Sequence, residues 1–346
     1  MSLLYFETTN KIQQLVHEGI VPGASFGIVH HNKIIAQNFL GYSQLVPESE
    51  VLVDDALYDV ASLTKVVGTT TLILKLQEEG KLNIDDSVKK YLTNYQDERV
   101  TLRHLLTHTA DFQGYIKDRN QLSASALKQA LFGLTNGNSL GKTVVYSDIG
   151  LIFLGFIIEE ILDMPVQKAL KQEILVPLGL ADSTFNPDVD RSVPTEIIPE
   201  LGLLRGIVHD PKARILKEHC GSAGLFSTVS DLLKFMRWFM SDDPTRPVLK
   251  PRTTQMLFSD QTPTGHLGRS LGWNLRGSNE NLSVYHTGFT GTFMLMNQTT
   301  KDGLVVLTNR VHPTSDNTLY LEKRDEIVTS FLTEHNEIVT DSHSKM

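Results

Sequence analysis

The stretch Tyr58-Asp-Val-Ala-Ser62-Leu-Thr-Lys65-Val-Val decides how this chain is read. It sets a hydroxyl just before Val66 to Leu76, a run that is apolar on nearly every face. That run ends at Glu78-Glu79-Gly80, with Gly80 as the expected helix stop. Residues three apart share a helix face, so Lys65 returns an amine to the side of Ser62 one turn later. Serine is a weak nucleophile at neutral pH and needs a nearby base. Lysine can serve if burial or a cationic neighbour pulls its pKa down from about 10.4. The same placement puts the Ser62 amide at the positive end of a helix, where it can donate to a developing oxyanion. The competing reading is an N-capping serine followed by a solvated lysine. Thr69-Thr70-Thr71 is a poor helix-forming run, so burial rather than propensity must hold the segment.

Spacing alone does not select this pair. Ser-x-x-Lys occurs five times, at Ser62, Ser87, Ser125, Ser139 and Ser342. Only Ser62 stands between a strand-like run and a buried helix.

Bulk composition narrows the function classes. The chain has 346 residues, 40% hydrophobic and 21% charged, which suits a soluble globular protein with one large domain or two interleaved ones. A net charge of −8 and the lack of a basic cluster argue against nucleic-acid binding. Cys220 is the only cysteine, so no intrachain disulfide forms, and its neighbours His219 and Gly221 make no recognisable thiol signature. Met1 to Glu7 has neither a basic region nor a long apolar core. It does not read as a signal peptide, and a cytoplasmic location is expected unless a leader has been removed. The longest apolar stretch, Ile149 to Leu162, is too short to span a bilayer and carries Glu159-Glu160. Oligomeric state is not readable.

Gly23 to Gly41 reads as a β-hairpin whose strands flank the polar turn His30-His31-Asn32. Two adjacent histidines raise a metal, but a solvated turn accounts for them. Helical patterns follow at Leu102–Leu106, Ala124–Leu131, Ile149–Leu162, Val166–Ile174 and Asp231–Met240, with proline-rich breaks at Asn186–Pro199 and Asp242–Pro251. Strand character returns at Val284–Tyr285, Gly291–Asn297 and Gly303–Asn309, with Lys301-Asp302-Gly303 as a turn. A final helix over Leu319–Leu332 precedes a polar tail. The simplest assembly pairs the two outer β regions in one antiparallel sheet and makes the helical middle an insertion, with a cleft between them. This predicts an α+β fold: a discontinuous sheet domain of residues 1–65 and 265–335, a mostly helical domain of 66–264, and a tail of 336–346.

Two segments bear on chemistry at that cleft. Lys142-Thr-Val-Val-Tyr146-Ser147-Asp148 ends just before an apolar helix. Tyr146 could enter the cleft as a general base or proton shuttle if cations lower its pKa from about 10. Otherwise it is a packed core tyrosine with Ser147 or Asp148 capping the helix. Tyr285-His286-Thr287-Gly288-Phe289-Thr290-Gly291 carries closely spaced glycines that let backbone approach a ligand. The Phe289 amide could be a second oxyanion donor, and His286 could orient a substrate carboxylate or relay protons. The alternative is a strand histidine beside a β-bulge.

Ser62-x-x-Lys65, Tyr146-Ser147-Asp148 and His286-Thr287-Gly288 occur in order, and together they resemble the three motifs of serine β-lactamases and penicillin-binding proteins. Thr101 to Thr109 and Gly224-Leu-Phe-Ser-Thr228 are similar to the class C-like branch, which includes D,D-peptidases, D-aminopeptidases and esterases. The resemblance runs from about residue 10 to residue 335. It implies a β-lactamase-like fold and a Ser62 acyl-enzyme formed from an amide, ester or lactam. Lys65 and Tyr146 would move protons, either one serving as the base, and the Ser62 and Phe289 amides would form the oxyanion hole. Asp148, His286, Thr287 and Gly288 would bind substrate. No cofactor or metal is called for; the partner is a small-molecule or peptide substrate. Many relatives carry Lys in place of His286 and Asn in place of Asp148. A permanent cation suits the carboxylate of penicillins and of D-Ala peptides, so these departures shift weight from β-lactamase toward esterase or peptidase work.

Two rivals remain. His104-Leu-Leu-Thr-His108 spaces two histidines one helical turn apart, but the glutamate of a His-Glu-x-x-His zinc site is absent. A penicillin-binding sensor on the same scaffold would acylate once without turnover. Arg205 to Asp210 is a polar cluster that could border the cleft, with a surface loop as the default.

Overall fold

The computed structural model describes residues 4–278 and 281–343. Its centre is a seven-stranded antiparallel sheet built from both ends of the chain. The strands are β1 (Gly23–His30), β2 (Lys33–Gln44), β3 (Glu50–Val51), β4 (Asn274–Ser278), β5 (Asn281–Gly288), β6 (Thr292–Asn297) and β7 (Asp302–Thr308). Their order across the sheet is β4-β5-β6-β7-β1-β2-β3. The join between the two chain ends is β1 on β7, running from Ala24 opposite Thr308 to Val29 opposite Gly303.

The central strands read as apolar runs because both faces of the sheet are covered. Ala24, Phe26 and Ile28 of β1, Phe293 and Leu295 of β6, and Leu304 and Val306 of β7 pack with Tyr5, Ile12, Tyr320 and Phe331 of the terminal segments. The alternate residues Val29, Met294, Met296, Val305 and Leu307 join the much larger core of the helical body. Gly27 lets the Val229–Phe239 helix approach: a Cβ there would fall 2.6 Å from Leu233 Cδ1.

The hairpin turn follows from His31 and Asn32, both at positive φ, the geometry of a two-residue turn between twisted strands. His30, His31 and Asp302 bring ligand atoms within 4.8 Å of one another. The Asp302 oxygens already accept from His31 N–H, the Tyr5 hydroxyl and the His335 ring, and His30 Nδ1 lies 3.0 Å from Oδ1.

Helices form at Leu102–Leu106, Ala124–Phe132, Asp148–Leu162, Val166–Leu170 and Val229–Phe239, close to the expected bounds. Helices Phe6–His17 and Pro211–Leu216, and strand β4, were not anticipated. The last helix does not end near Leu332; it runs Leu319–His343, which replaces most of the expected polar tail. Among the described residues no helix is long and apolar enough to cross a membrane.

Candidate active site

Ser62 sits where the chain leaves the short Tyr58–Asp59 strand for the helical body, and the local geometry is forced. Ala61, immediately before it, has φ 46°, a conformation costly for a residue with a Cβ. Asp59 holds that bend. Its Oδ1 accepts from the Ala61 amide at 2.9 Å and its Oδ2 from the His209 amide at 2.7 Å. Burial pushes the Asp59 carboxyl up, against the pull of those two amides. The next turn then closes tightly, with Leu63, Thr64 and Lys65 amides bonded three residues back. Lys65–Thr70 is a π-helical segment that runs into the Thr71–Glu78 helix. Two of the three threonines are satisfied there: Thr69 Oγ1 donates to Gly221 O and Thr71 Oγ1 to Val66 O. Gly80, at φ 71°, ends the helix as expected.

Lys65 is 1% exposed, and its ammonium is enclosed by oxygens. Nζ donates to Ser62 Oγ at 2.7 Å and to Ser222 O at 2.9 Å, and lies 2.7 Å from Asp148 Oδ1. Burial alone would lower the Lys65 pKa, but Asp148, with a contribution from the Tyr146 oxygen, outweighs it and holds the amine well above its ordinary value. The condition for a lysine base, an amine pulled down toward neutrality, is not what this ion pair favours: the contact with Asp148 favours the ammonium form. Asp148 is the reason, and it is itself shared. Its Oδ2 lies 3.1 Å from Lys212 Nζ, which also bonds Asp210 at 2.8 Å. Burial would raise the Asp148 carboxyl, yet the two ammonium groups drive it well below the usual range. Asp148 thus balances cations instead of facing the ligand with a free charge.

The opposite wall is the turn after β5. A Cβ on Gly288 would fall 2.5 Å from Val60 O and closer still to Thr292 Oγ1, so only glycine lets this turn lie against the Ser62 segment. Thr290 Oγ1 donates to Asp59 O at 2.7 Å and Thr292 Oγ1 to Val60 O at 3.1 Å, tying the turn to the bend. Phe289 follows, about half exposed, with the His209 ring stacked 5.3 Å from it and the Arg310 guanidinium 4.7 Å from its centroid. Arg310 Nε also donates to Phe289 O. A cleft of about 610 Å³ opens here, lined by Ser62, Tyr146, Asp148, Lys212, Thr287 and Phe289 among others. A larger cavity of about 930 Å³ lies on the far side of the Pro211–Leu216 helix, lined by residues such as Arg214 and Phe226, and does not reach Ser62.

The structure brings Ser62, Lys65, Tyr146, Asp148, Thr287, Gly288 and Phe289 together. His286 is the exception. It is 1% exposed, behind Tyr146 (ring centroids 6.1 Å apart), with Nδ1 donating to Thr287 O at 3.0 Å. It cannot meet a substrate carboxylate from there. Burial, reinforced by Arg269 and Lys65, holds its pKa well below the ordinary histidine value. His108 packs on the other partner of this group, 4.6 Å from the Tyr146 ring, and its Nδ1 accepts from the Ser147 amide. His104 serves its own helix: Nδ1 accepts from the Thr101 amide in a capping box. Cys220 is buried, and burial pushes its thiol up.

Lys212, Asp59 and Arg269 are the residues sequence reasoning missed. Of the Arg205–Asp210 cluster, which could border the cleft or form a surface loop, His209 and Asp210 line the cleft, while Arg205 pairs with Glu50 outside it. The only available signal was Asp210-Pro211, an N-cap and first-turn proline that open the helix carrying Lys212.

A two-core α+β fold with a lysine-bonded serine in its cleft points to a class of proteins, and comparison with known proteins names it. The profile of the β-lactamase family matches residues 8–328, so the chain belongs to the β-lactamase family and is a serine hydrolase. A putative D-alanyl-D-alanine carboxypeptidase of Salmonella agona is 27% identical over 359 residues, covering 87% of this chain and 81% of that protein. Among solved structures, EstCE1, a hydrolase with promiscuous acyltransferase activity, superposes with TM-score 0.72 at 20% identity, over 94% of this chain and 98% of its own. A β-lactamase/D-alanine carboxypeptidase from Pseudomonas syringae gives TM-score 0.73 at 18% identity, over 94% and 97%.

Proposed function

We propose that Ser62 is the nucleophile of an acyl-enzyme hydrolase that cleaves esters and peptides in preference to penicillins. The observation that carries this reading is the 2.7 Å contact between Lys65 Nζ and Ser62 Oγ, with Lys65 fixed by Asp148. Because Lys65 donates into Oγ as a held cation, it stabilises the developing alkoxide, and Tyr146 is the group that takes the serine proton. Ser62 Oγ bonds to the acyl carbon, and the carbonyl oxygen gathers charge toward the Ser62 and Phe289 amides. Tyr146 then returns its proton to the leaving oxygen or nitrogen. Water, deprotonated by Tyr146, attacks the acyl carbon; the bond to Ser62 Oγ breaks and Tyr146 returns the proton to Oγ. Thr287 and Gly288 border the acyl group, and Asp148 keeps Lys65 charged through both halves.

The substrate preference rests on His286. With that ring buried, the third motif offers no cation for the carboxylate of a penicillin. Phe289 instead presents an aromatic surface at the cleft mouth, suited to an apolar acyl or leaving group.

Ser62→Ala is expected to abolish hydrolysis of short-chain p-nitrophenyl esters and covalent labelling by a fluorophosphonate, with an unchanged circular dichroism spectrum. Labelling that persists in the variant would end the assignment. Nitrocefin and D-Ala peptides run beside the esters test the preference, which fails if nitrocefin has the highest kcat/KM.

A further inference from the structure

The region behind Tyr146 holds an unusual number of buried polar atoms with no partner among the described residues. They are Arg269 Nε and Nη2, His108 Nε2, His286 Nε2, Trp273 Nε1, Ser270 Oγ and Thr70 Oγ1. Buried polar groups are almost always paired, so a group of orphans points to something that fills the site. Arg269 is the strongest of them. It is 3% exposed, and its remaining nitrogen reaches Asn274 Oδ1, a neutral acceptor. No carboxylate among the described residues lies within 4.0 Å of it, whereas the nearby Lys65 and Lys212 each have one. Burial pushes its pKa down to about 10, and the only electrostatic support comes from Tyr146.

The neighbours gather around Tyr146, and Arg269 acts electrostatically on both histidines. Its Cζ lies 5.6 Å from the Tyr146 ring centroid, and the His108, His286 and Trp273 rings follow at 4.6, 6.1 and 6.3 Å from one ring to the next. Hydrogen bonding fixes the tautomers. The Ser147 amide donates to His108 Nδ1, so the proton of this neutral ring sits on Nε2. His286 donates from Nδ1 to Thr287 O, which leaves its Nε2 as an acceptor. The unpartnered set is thus dominated by donors: two from Arg269, one from Trp273 and one from His108.

From this we infer a binding site for a small monovalent inorganic anion of the halide class, anchored by Arg269 and completed by the N–H groups of Trp273 and His108. His286 supplies an acceptor on its edge and is not a ligand. Such an ion neutralises the guanidinium that faces Tyr146, and so sets the charge behind the proposed proton acceptor. It is separate from the substrate cleft, because Arg269, Trp273, His108 and His286 do not line that cleft.

The test uses the full chain in sodium gluconate exchanged for sodium bromide at constant ionic strength. In a Trp238→Phe background, Trp273 is the only indole. Its fluorescence should be quenched saturably by bromide, and the melting temperature should rise with the same half-saturation. Both effects should disappear in Arg269→Gln. Quenching that is linear in bromide, or a melting temperature that follows ionic strength alone, would overturn the site. So would saturable binding that survives the Arg269 substitution. If Arg269→Gln does not fold, Arg269→Lys decides: half-saturation should move up at least tenfold, and an unchanged value rejects the proposal.

Discussion

At Ser62 the deciding feature is the company its lysine keeps. A Ser-x-x-Lys pair can be read either as a serine beside a neutral amine or as a serine beside a cation, and Asp148 selects the second. Asp148→Asn removes the carboxylate shared by Lys65 and Lys212, leaving a buried ammonium without its counter-charge. It should cost about 3–5 kcal/mol of stability, read from urea midpoints at pH 7. The pH dependence follows from the signs. The folded pKa of Asp148 is depressed, so its contribution is present above about pH 4, the unfolded value, and is lost as pH falls through the folded one. Lys65 is raised, so its contribution is present below about pH 10.4 and is lost as pH climbs through its folded value. The variant should therefore show a flatter acid limb than the wild type. His286 gives a second test. Its folded pKa is depressed, so stability falls as pH drops below about 6.5, where only the unfolded chain takes the proton. His286→Asn keeps an N–H for Thr287 O and should remove up to one proton from that slope. An unchanged slope would show that the ring does not titrate as placed.

At the scale of elements, the site is assembled by close backbone approaches. The turn after β5 meets the Val60–Ala61 bend only because Gly288 has no side chain, and Thr290 and Thr292 fasten the two together. Gly288→Ala should cost about 1–3 kcal/mol in denaturant unfolding, the range for forced overpacking. It should also lower kcat more than it raises KM, because the Phe289 amide moves with the turn. A change in KM alone would place Phe289 outside the oxyanion hole. Much at this scale was legible beforehand. The helices Leu102–Leu106, Ala124–Phe132 and Asp148–Leu162 followed from apolar spacing, and the hairpin from its polar turn. The Pro211–Leu216 helix was not, because it is a short element held by its Asp210 cap and by packing, with too few turns to show periodicity. β4 escaped for a similar reason: Asn274–Ser278 is an edge strand with a glycine at position 277 and little apolar character.

For the whole molecule, the sheet is a wall between two cores, and the Ser62 cleft lies on the side of the helical body. The terminal helices bury Phe331 and Tyr5 in stacked contact on the other side, with ring centroids 4.5 Å apart. Phe331→Ala should cost about 3–5 kcal/mol, read from denaturant midpoints. Activity per folded molecule should stay unchanged, since Phe331 does not line the cleft; a fall in kcat at full folding would show that this core reaches the site. The amino-acid order by itself singled out Ser62, Lys65, Tyr146 and the Gly288 turn as candidates, because each is announced within a few residues by a strand-to-helix junction or a tight turn. It also determined the antiparallel sheet, since apolar runs at both ends of the chain must bury one another. Only the tertiary structure decided the pairing of Lys65 with Asp148, the withdrawal of His286 behind Tyr146, and the placing of Lys212 and Asp59 beside Ser62. Those depend on distances between residues far apart in sequence, and a few ångströms there set whether a buried charge meets its partner.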